Sequence, residues 1–447
     1  MNSIIIMTTI NDKGRTNIIL KKSIIFVMLF LFWIVTAFAQ QDYYDRDIGY
    51  STKVSHNDIT ELQKKIDNGE TNLLHDNKTG YLKSLLKHLN ISPSSQMLVF
   101  SKTSFQNEYI TPHTPRAIYF SDNVYIGWVQ HGTVMEISTQ DPQLGGVYYT
   151  LSQVKKDKPK FKRETHDCFQ CHVSRNTLSV PGPLVRSVFP DKRGFPILHG
   201  GTFLTTHESK ITERWGGWYV TGNLGLQTHM GNAIAVEKGH RVFMQTDRPT
   251  NLEQIDTLID TTPYAENSSD VIALLVLEHQ THMHNLITKG TFDTIIAINR
   301  NKIIQQMSDT PFKTQNKSLL DNIHATGDKI IEYLLFCNEI AIASPITGRR
   351  DFQKAFEKRG PIATNGATLR EFNLKTRLFK YPCSYLIYSK SFDEMPPLLL
   401  EYVYKELWDI FSDKRQDDKF LHISRHIGKQ IKSILIETKD NLPPYWR

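Results

Sequence analysis

Hydrophobic and polar positions change texture several times along the chain. Residues 23–38 (SIIFVMLFLFWIVTAF) form an uncharged, mostly apolar run behind Lys13, Arg15, Lys21 and Lys22. It ends in Ala37-Phe38-Ala39, a small-x-small site ahead of Gln40. The run is shorter than the about 20 residues a membrane span needs. It predicts a cleaved secretory signal over residues 1–39, with an uncleaved N-terminal anchor as the alternative.

Residues 40–95 are polar, with helical spacing at 58–67 and 81–89. Over 96–163 the texture changes to short β-branched and aromatic runs: MLVF, AIYF, NVYIGWVQ, TVMEIST and GGVYYTLSQ. Gly, Asn and Asp separate them, which predicts an antiparallel meander. KKDKPKFKR at 155–163 reads as a solvated linker, or as a docking rim for an acidic redox partner. Residues 164–267 are rich in Gly, Pro and aromatics, as irregular chain wrapped around something would be. From Ser268 the period is helical. Asn267 and Ser268 are candidate caps for an apolar helix that Gly290 should end near Lys289. Further helices are expected over 319–342 and from 398 onward. The expected class is α+β: a β-rich N-terminal part, an irregular middle and a mainly helical region over 268–447.

Composition adds little that is unusual. Hydrophobic residues at 40% and charged residues at 22% are ordinary for a globular chain. Residues 1–39 carry four basic residues and Asp12, so the net charge of +7 falls to +4 without them. No concentrated basic face calls for nucleic acid. Four cysteines in 447 residues do not make a disulfide scaffold. Cys337 and Cys383 read as buried apolar residues, although an exported chain could pair them.

The other two cysteines lie in HDCFQCH, residues 166–172. C-x-x-C-H is the attachment pattern for c-type haem. Two thiols add across the haem vinyl groups, and His172 follows as proximal iron ligand. With 4 Cys and 17 His in the chain, chance predicts the pattern about 0.001 times. One motif predicts one covalent haem c on Cys168 and Cys171. Zinc held by His166, Cys168, Cys171 and His172 is a rival, although no second C-x-x-C exists. A redox dithiol is another, but PKFKRETHD does not read as the buried strand that chemistry wants before Cys168.

The distal side of the iron is open to several readings. Met230, in THMGN, is one candidate; His199, His207 and His229 are rivals, and so is an empty position. A second constellation, EHQTHMHN at 278–285, places His279 and His282 on one helix face. These two are candidates for distal ligation, a second metal site or a proton relay, or they form a hydrogen-bonded core cluster. Nine of the 17 histidines fall between His166 and His284.

HDCFQCHVSRNTLSVPGPLVRSV, RWGGWYVTGN with HMGN after it, VLEHQTHMHN and RLFKYPCSYLIYS together resemble a family of large exported bacterial cytochrome c domain-containing proteins. The resemblance spans residues 111–396. It implies haem binding and electron transfer through Cys168, Cys171 and His172, and it implies no substrate. Size and the β-rich segment separate this chain from a small helical cytochrome c. The expectation is a monohaem c-type cytochrome, periplasmic or otherwise exported, acting in electron transfer as part of an oxidoreductase. Its partner would be a redox protein or a small-molecule substrate, and membrane contact would come only through an uncleaved anchor. The alternatives are a haem-based ligand-binding module without catalysis, and a haem-free zinc or disulfide protein.

Overall fold

The computed structural model describes residues 46–245, 250–307, 316–415 and 417–447. The expected signal segment, 1–39, lies outside them. Residues 46–53 belong to an N-terminal unit, Met1–Lys53, and form a turn in which Lys53 N–H donates to Gly49 O at 2.8 Å. All that follows concerns the second unit, Val54–Arg447.

This unit has the expected α+β class. A capped helix, α1 (Asp58–Asp67), opens it. Asn57 accepts from the Ile59 and Thr60 amides, and Thr60 closes a capping box, so the first-turn donors are satisfied. α2 (Leu82–His88) follows. Six antiparallel strands then pair in chain order: β1 (Met97–Val99), β2 (Arg116–Phe120), β3 (Val124–Trp128), β4 (Val134–Asp141), β5 (Gly145–Ser152) and β6 (Phe161–Glu164). The first five coincide with the apolar runs of the sequence. β6 does not: it lies in the stretch expected to be a linker. Only one side chain in two of an edge strand needs to be apolar, and Phe161, Lys162, Arg163 and Glu164 are all partly or fully exposed.

Alternation divides the sheet into two faces. Ala117, Tyr119, Ile126, Trp128, Met135, Val147 and Leu151 are buried on one. The other carries one register row of Ile118, Gly127, Glu136, Thr150 and Lys162. Its neighbouring row runs Tyr125, Ser138, Tyr148 and Glu164. This second face is polar and floors the candidate site.

β6 leads directly into the single-turn α3 (Phe169–His172). Irregular chain follows, with two small hairpins: β7 (Arg186–Val188) on β8 (Thr202–Leu204), and β9 (Ala235–Lys238) on β10 (Arg241–Met244). The helical part is built on α4 (Val271–Met307), whose first half is buried nearly all round. It is joined by α5 (Lys317–Leu334), α6 (Arg350–Arg359), α7 (Lys390–Asp393), α8 (Pro397–Phe411) and α9 (Arg425–Thr438). No helix among the described residues is long and apolar enough to cross a membrane.

Two details of α4 differ from expectation. Asp270, not Asn267 or Ser268, caps it, accepting the Ala273 amide at 3.0 Å. Gly290 does not end it; the helix continues to Met307. A Cβ on Gly290 would lie 2.6 Å from Ile330 Cδ1 and 3.2 Å from Leu399 Cδ2. The glycine marks a close crossing of helices, where a side chain has no room. The helix expected over 319–342 is correspondingly shorter and stops at Leu334.

Candidate functional site

The polar face of the sheet, the α3 turn, the 183–186 segment, Trp218 and two residues of α4 enclose a cavity of about 890 Å³. That lies within the about 300–1,000 Å³ usual for cofactor pockets. Cys168, Cys171 and His172 all line it. The His172 amide donates to Cys168 O at 3.0 Å, so one helical turn carries all three. Spacings of three and four residues put them on one side of that turn.

His172 is fixed by its surroundings. Its Nδ1 lies 2.9 Å from Gly182 O, and Gly182 N–H donates back to His172 O at 3.0 Å. A carbonyl only accepts, so Nδ1 carries the proton and Nε2 keeps its lone pair. Burial pushes the imidazole below its ordinary range, with the Gly182 bond working against that shift. The neutral form is the one that binds a metal. Tyr148 packs against the ring with centroids 4.8 Å apart. Behind Gly182, Asn285 of α4 donates to Pro183 O at 2.8 Å. A Cβ on Gly182 would lie 1.9 Å from Asn285 Oδ1, so glycine is required for this approach.

The cysteines differ from each other. Cys171 is exposed and Cys168 half-buried, and neither is disulfide-bonded. Burial pushes the Cys168 thiol up to about 12, and Glu136, Glu164 and Asp167 add to the shift. A redox dithiol needs a thiol pushed the other way. The strand that precedes Cys168 is not a buried one: it is a partly exposed antiparallel edge strand, and the helix after it is one turn long. His166 is exposed, with Nδ1 2.9 Å from Thr165 Oγ1. Among the described residues no three His, Cys, Asp or Glu side chains are placed to hold a bare metal ion.

The structure does not bring the other candidates to this cavity. Met230 is buried, and its sulfur accepts from Ser187 Oγ at 3.5 Å. Leu277 and Thr281 are the α4 residues that line the cavity. At 100° per residue, His279 and His282 sit about 150° round the helix from them. His279 Nδ1 is 2.9 Å from His207 Nδ1, and its Nε2 is 2.7 Å from Ser384 Oγ. Both rings are stacked with Tyr333 and Phe336, and burial holds both far below the ordinary histidine range. His282 stands edge-on to Tyr333, and burial lowers it to about 4. Glu278, between these faces, pairs with Arg214 at 2.7 Å, with both side chains almost fully buried. Cys337 and Cys383 are buried free thiols.

Sequence reasoning missed the charged group on the cavity floor. Arg116 pairs with Glu136 at 2.7 Å, and Glu136 also accepts from Ser104 Oγ at 2.8 Å and Gln106 Nε2 at 3.2 Å. The guanidinium lies across Gly127; a Cβ there would be 2.3 Å from Nη2. The available signal was period-2 placement of Arg116, Glu136, Lys162 and Glu164 inside strands. No family model matches the chain, and neither a curated protein nor a solved structure is significantly similar to it.

Proposed function

We propose that the chain is an exported monohaem c-type cytochrome, with haem c attached to Cys168 and Cys171 and His172 as proximal ligand. The observation that carries this reading is the Nδ1–H bond from His172 to Gly182 O, which leaves Nε2 free beside both motif cysteines in one cavity. A hydrogen bond from the other ring nitrogen to a backbone carbonyl orients metal-ligating histidines generally. The rest of the lining fits the same group. Ile118, Val134, Leu184, Trp218 and Leu277 supply apolar surface for a porphyrin. Lys102 and Arg186 supply donors for its propionates.

Bound there, the haem would supply one-electron redox chemistry. The chain's own residues hold the imidazole in one tautomer and exclude water from its protein-facing side. The reading extends to electron transfer within an oxidoreductase, with a redox protein or a small molecule as partner. Export fits it, since the apolar run at 23–38 and the motif are independent features of one sequence. A zinc protein and a dithiol oxidoreductase are less well supported, given the exposed His166 and the raised Cys168 thiol.

The test is a pyridine haemochrome spectrum of the full chain, expressed with its leader in a host that matures c-type cytochromes. Covalent haem that survives denaturation and is lost in Cys168→Ala/Cys171→Ala is the expected result. A purified chain without covalent haem would overturn the reading, and zinc would then be assayed.

A further inference from the structure

Resting on the haem reading, we propose that the iron keeps its second axial position free for an exogenous small ligand, and that Arg116 is the protein group that receives that ligand.

The first ground is the composition of the cavity wall. His172 is the one histidine that lines it among the described residues, and no methionine does. The residues outside the description contain no histidine, and their only methionines are Met1, Met7 and Met28 of the leader. The former candidates are held elsewhere: Met230 by Ser187, His229 by Thr250 O at 3.1 Å, and His279 by His207 and Ser384. Lysines at the wall are engaged as cations. Lys162 pairs with Glu164 at 3.0 Å, and Lys102 donates to Asn107 O at 2.6 Å. Each would have to shed a proton and a partner to ligate iron. His199 is the histidine the test below removes. It is exposed, 3.2 Å from Glu237, and follows the wall residue Leu198.

The second ground is what the wall does contain. Arg116 and Glu136 retain 21% and 18% of their side-chain exposure while facing the cavity, and Gly127 clears the space the guanidinium occupies. A guanidinium has donors and no acceptor. It therefore selects a ligand that offers an acceptor: an anion, a peroxide or a polar diatomic. Glu136 holds the guanidinium in position, so little side-chain freedom is lost on binding.

The test uses the matured full chain, with Arg116→Leu, Arg116→Lys and His199→Ala variants. The ferrous spectrum should be five-coordinate and high-spin, and carbon monoxide should bind stoichiometrically. Azide affinity of the ferric form should fall by about tenfold in Arg116→Leu, the equivalent of one charge-assisted hydrogen bond, and recover in part in Arg116→Lys. A six-coordinate low-spin ferrous spectrum that excludes carbon monoxide would overturn the proposal, whether or not His199→Ala abolished it. Unchanged azide affinity in Arg116→Leu would remove the role of Arg116. A chain without covalent haem would fail the underlying reading instead, and the haemochrome assay separates that outcome from the others.

Discussion

Glu278→Gln is the substitution whose cost the structure fixes most sharply. Glu278 Oε2 accepts from Arg214 Nη1 at 2.7 Å, with side-chain exposures of 0% and 3%. Burial alone pushes the carboxyl up; Arg214, Thr205 and Trp215 pull it back. Arg214 also donates through Nε to Ser209 O at 2.9 Å and through Nη2 to His207 O at 3.2 Å. At this separation Coulomb's law with an effective dielectric of about 20 gives roughly 6 kcal/mol, most of it offset by the desolvation of two ions. Glutamine keeps the shape and removes one charge. It leaves the arginine desolvated and uncompensated, which costs about 3–5 kcal/mol. Against a total stability of about 5–15 kcal/mol that is about a fifth or more.

The assay is urea unfolding followed by tryptophan fluorescence. Glu61→Gln serves as control, since its pair with Lys64 is 57% and 61% exposed, and it should change nothing measurable. Arg214→Met/Glu278→Leu removes both charges. It leaves the Ser209 carbonyl and the Trp215 indole N–H without their charged partners, about 1–3 kcal/mol each, because His207 O still accepts from the Ile340 amide at 3.1 Å and Thr205 Oγ1 still donates to Val185 O at 3.3 Å. With neither charge left at the site, the double variant should still be more stable than Glu278→Gln. A Glu278→Gln cost under about 1 kcal/mol, or losses that simply add in the double variant, would refute the assignment of a dry, charge-paired site.

Gly182→Ala should displace Asn285, break its bond to Pro183 O and loosen the His172 tether. If the proposed haem attachment holds, covalent haem content should fall relative to the unsubstituted chain, with unfolding measured alongside to separate loss of fold from loss of the tether. Acid should destabilise the fold. Burial lowers His229, His282 and His284 to about 4 and holds His207 and His279 well below 6.5, so the unfolded chain binds more protons; stability present above pH 6.5 is lost as pH falls toward about 4. Asp270 and Glu339, raised by burial to about 7, act in the opposite sense, and urea midpoints between pH 4 and 8 give the balance. In protein made without haem maturation, a thiol reagent should modify exposed Cys171 first, Cys168 more slowly because its thiol is pushed up to about 12, and buried Cys337 and Cys383 only on unfolding.

What could be read from the sequence is what one segment decides alone. HDCFQCH carries its chemistry within a single turn, so spacing placed Cys168, Cys171 and His172 together without knowledge of the fold. The first five strands were legible because their alternation is local. β6 was not, because a charged edge strand and a charged linker have the same composition. For His279 and His282 the spacing correctly put both on one helix face, but a helix does not know which side will meet the cavity. Packing against Tyr333 and Phe336 turned that face away from it. Arg116 and Glu136 illustrate the same limit in the sheet. They meet because Ile118 registers with Gly127 and Gly127 with Glu136. A slip of one residue in β4 would send Glu136 to the apolar face and leave Arg116 unpaired. The floor of the candidate site is thus set by strand register, a property of three segments at once. The motif says which cofactor to test for, and the register says what that cofactor would face.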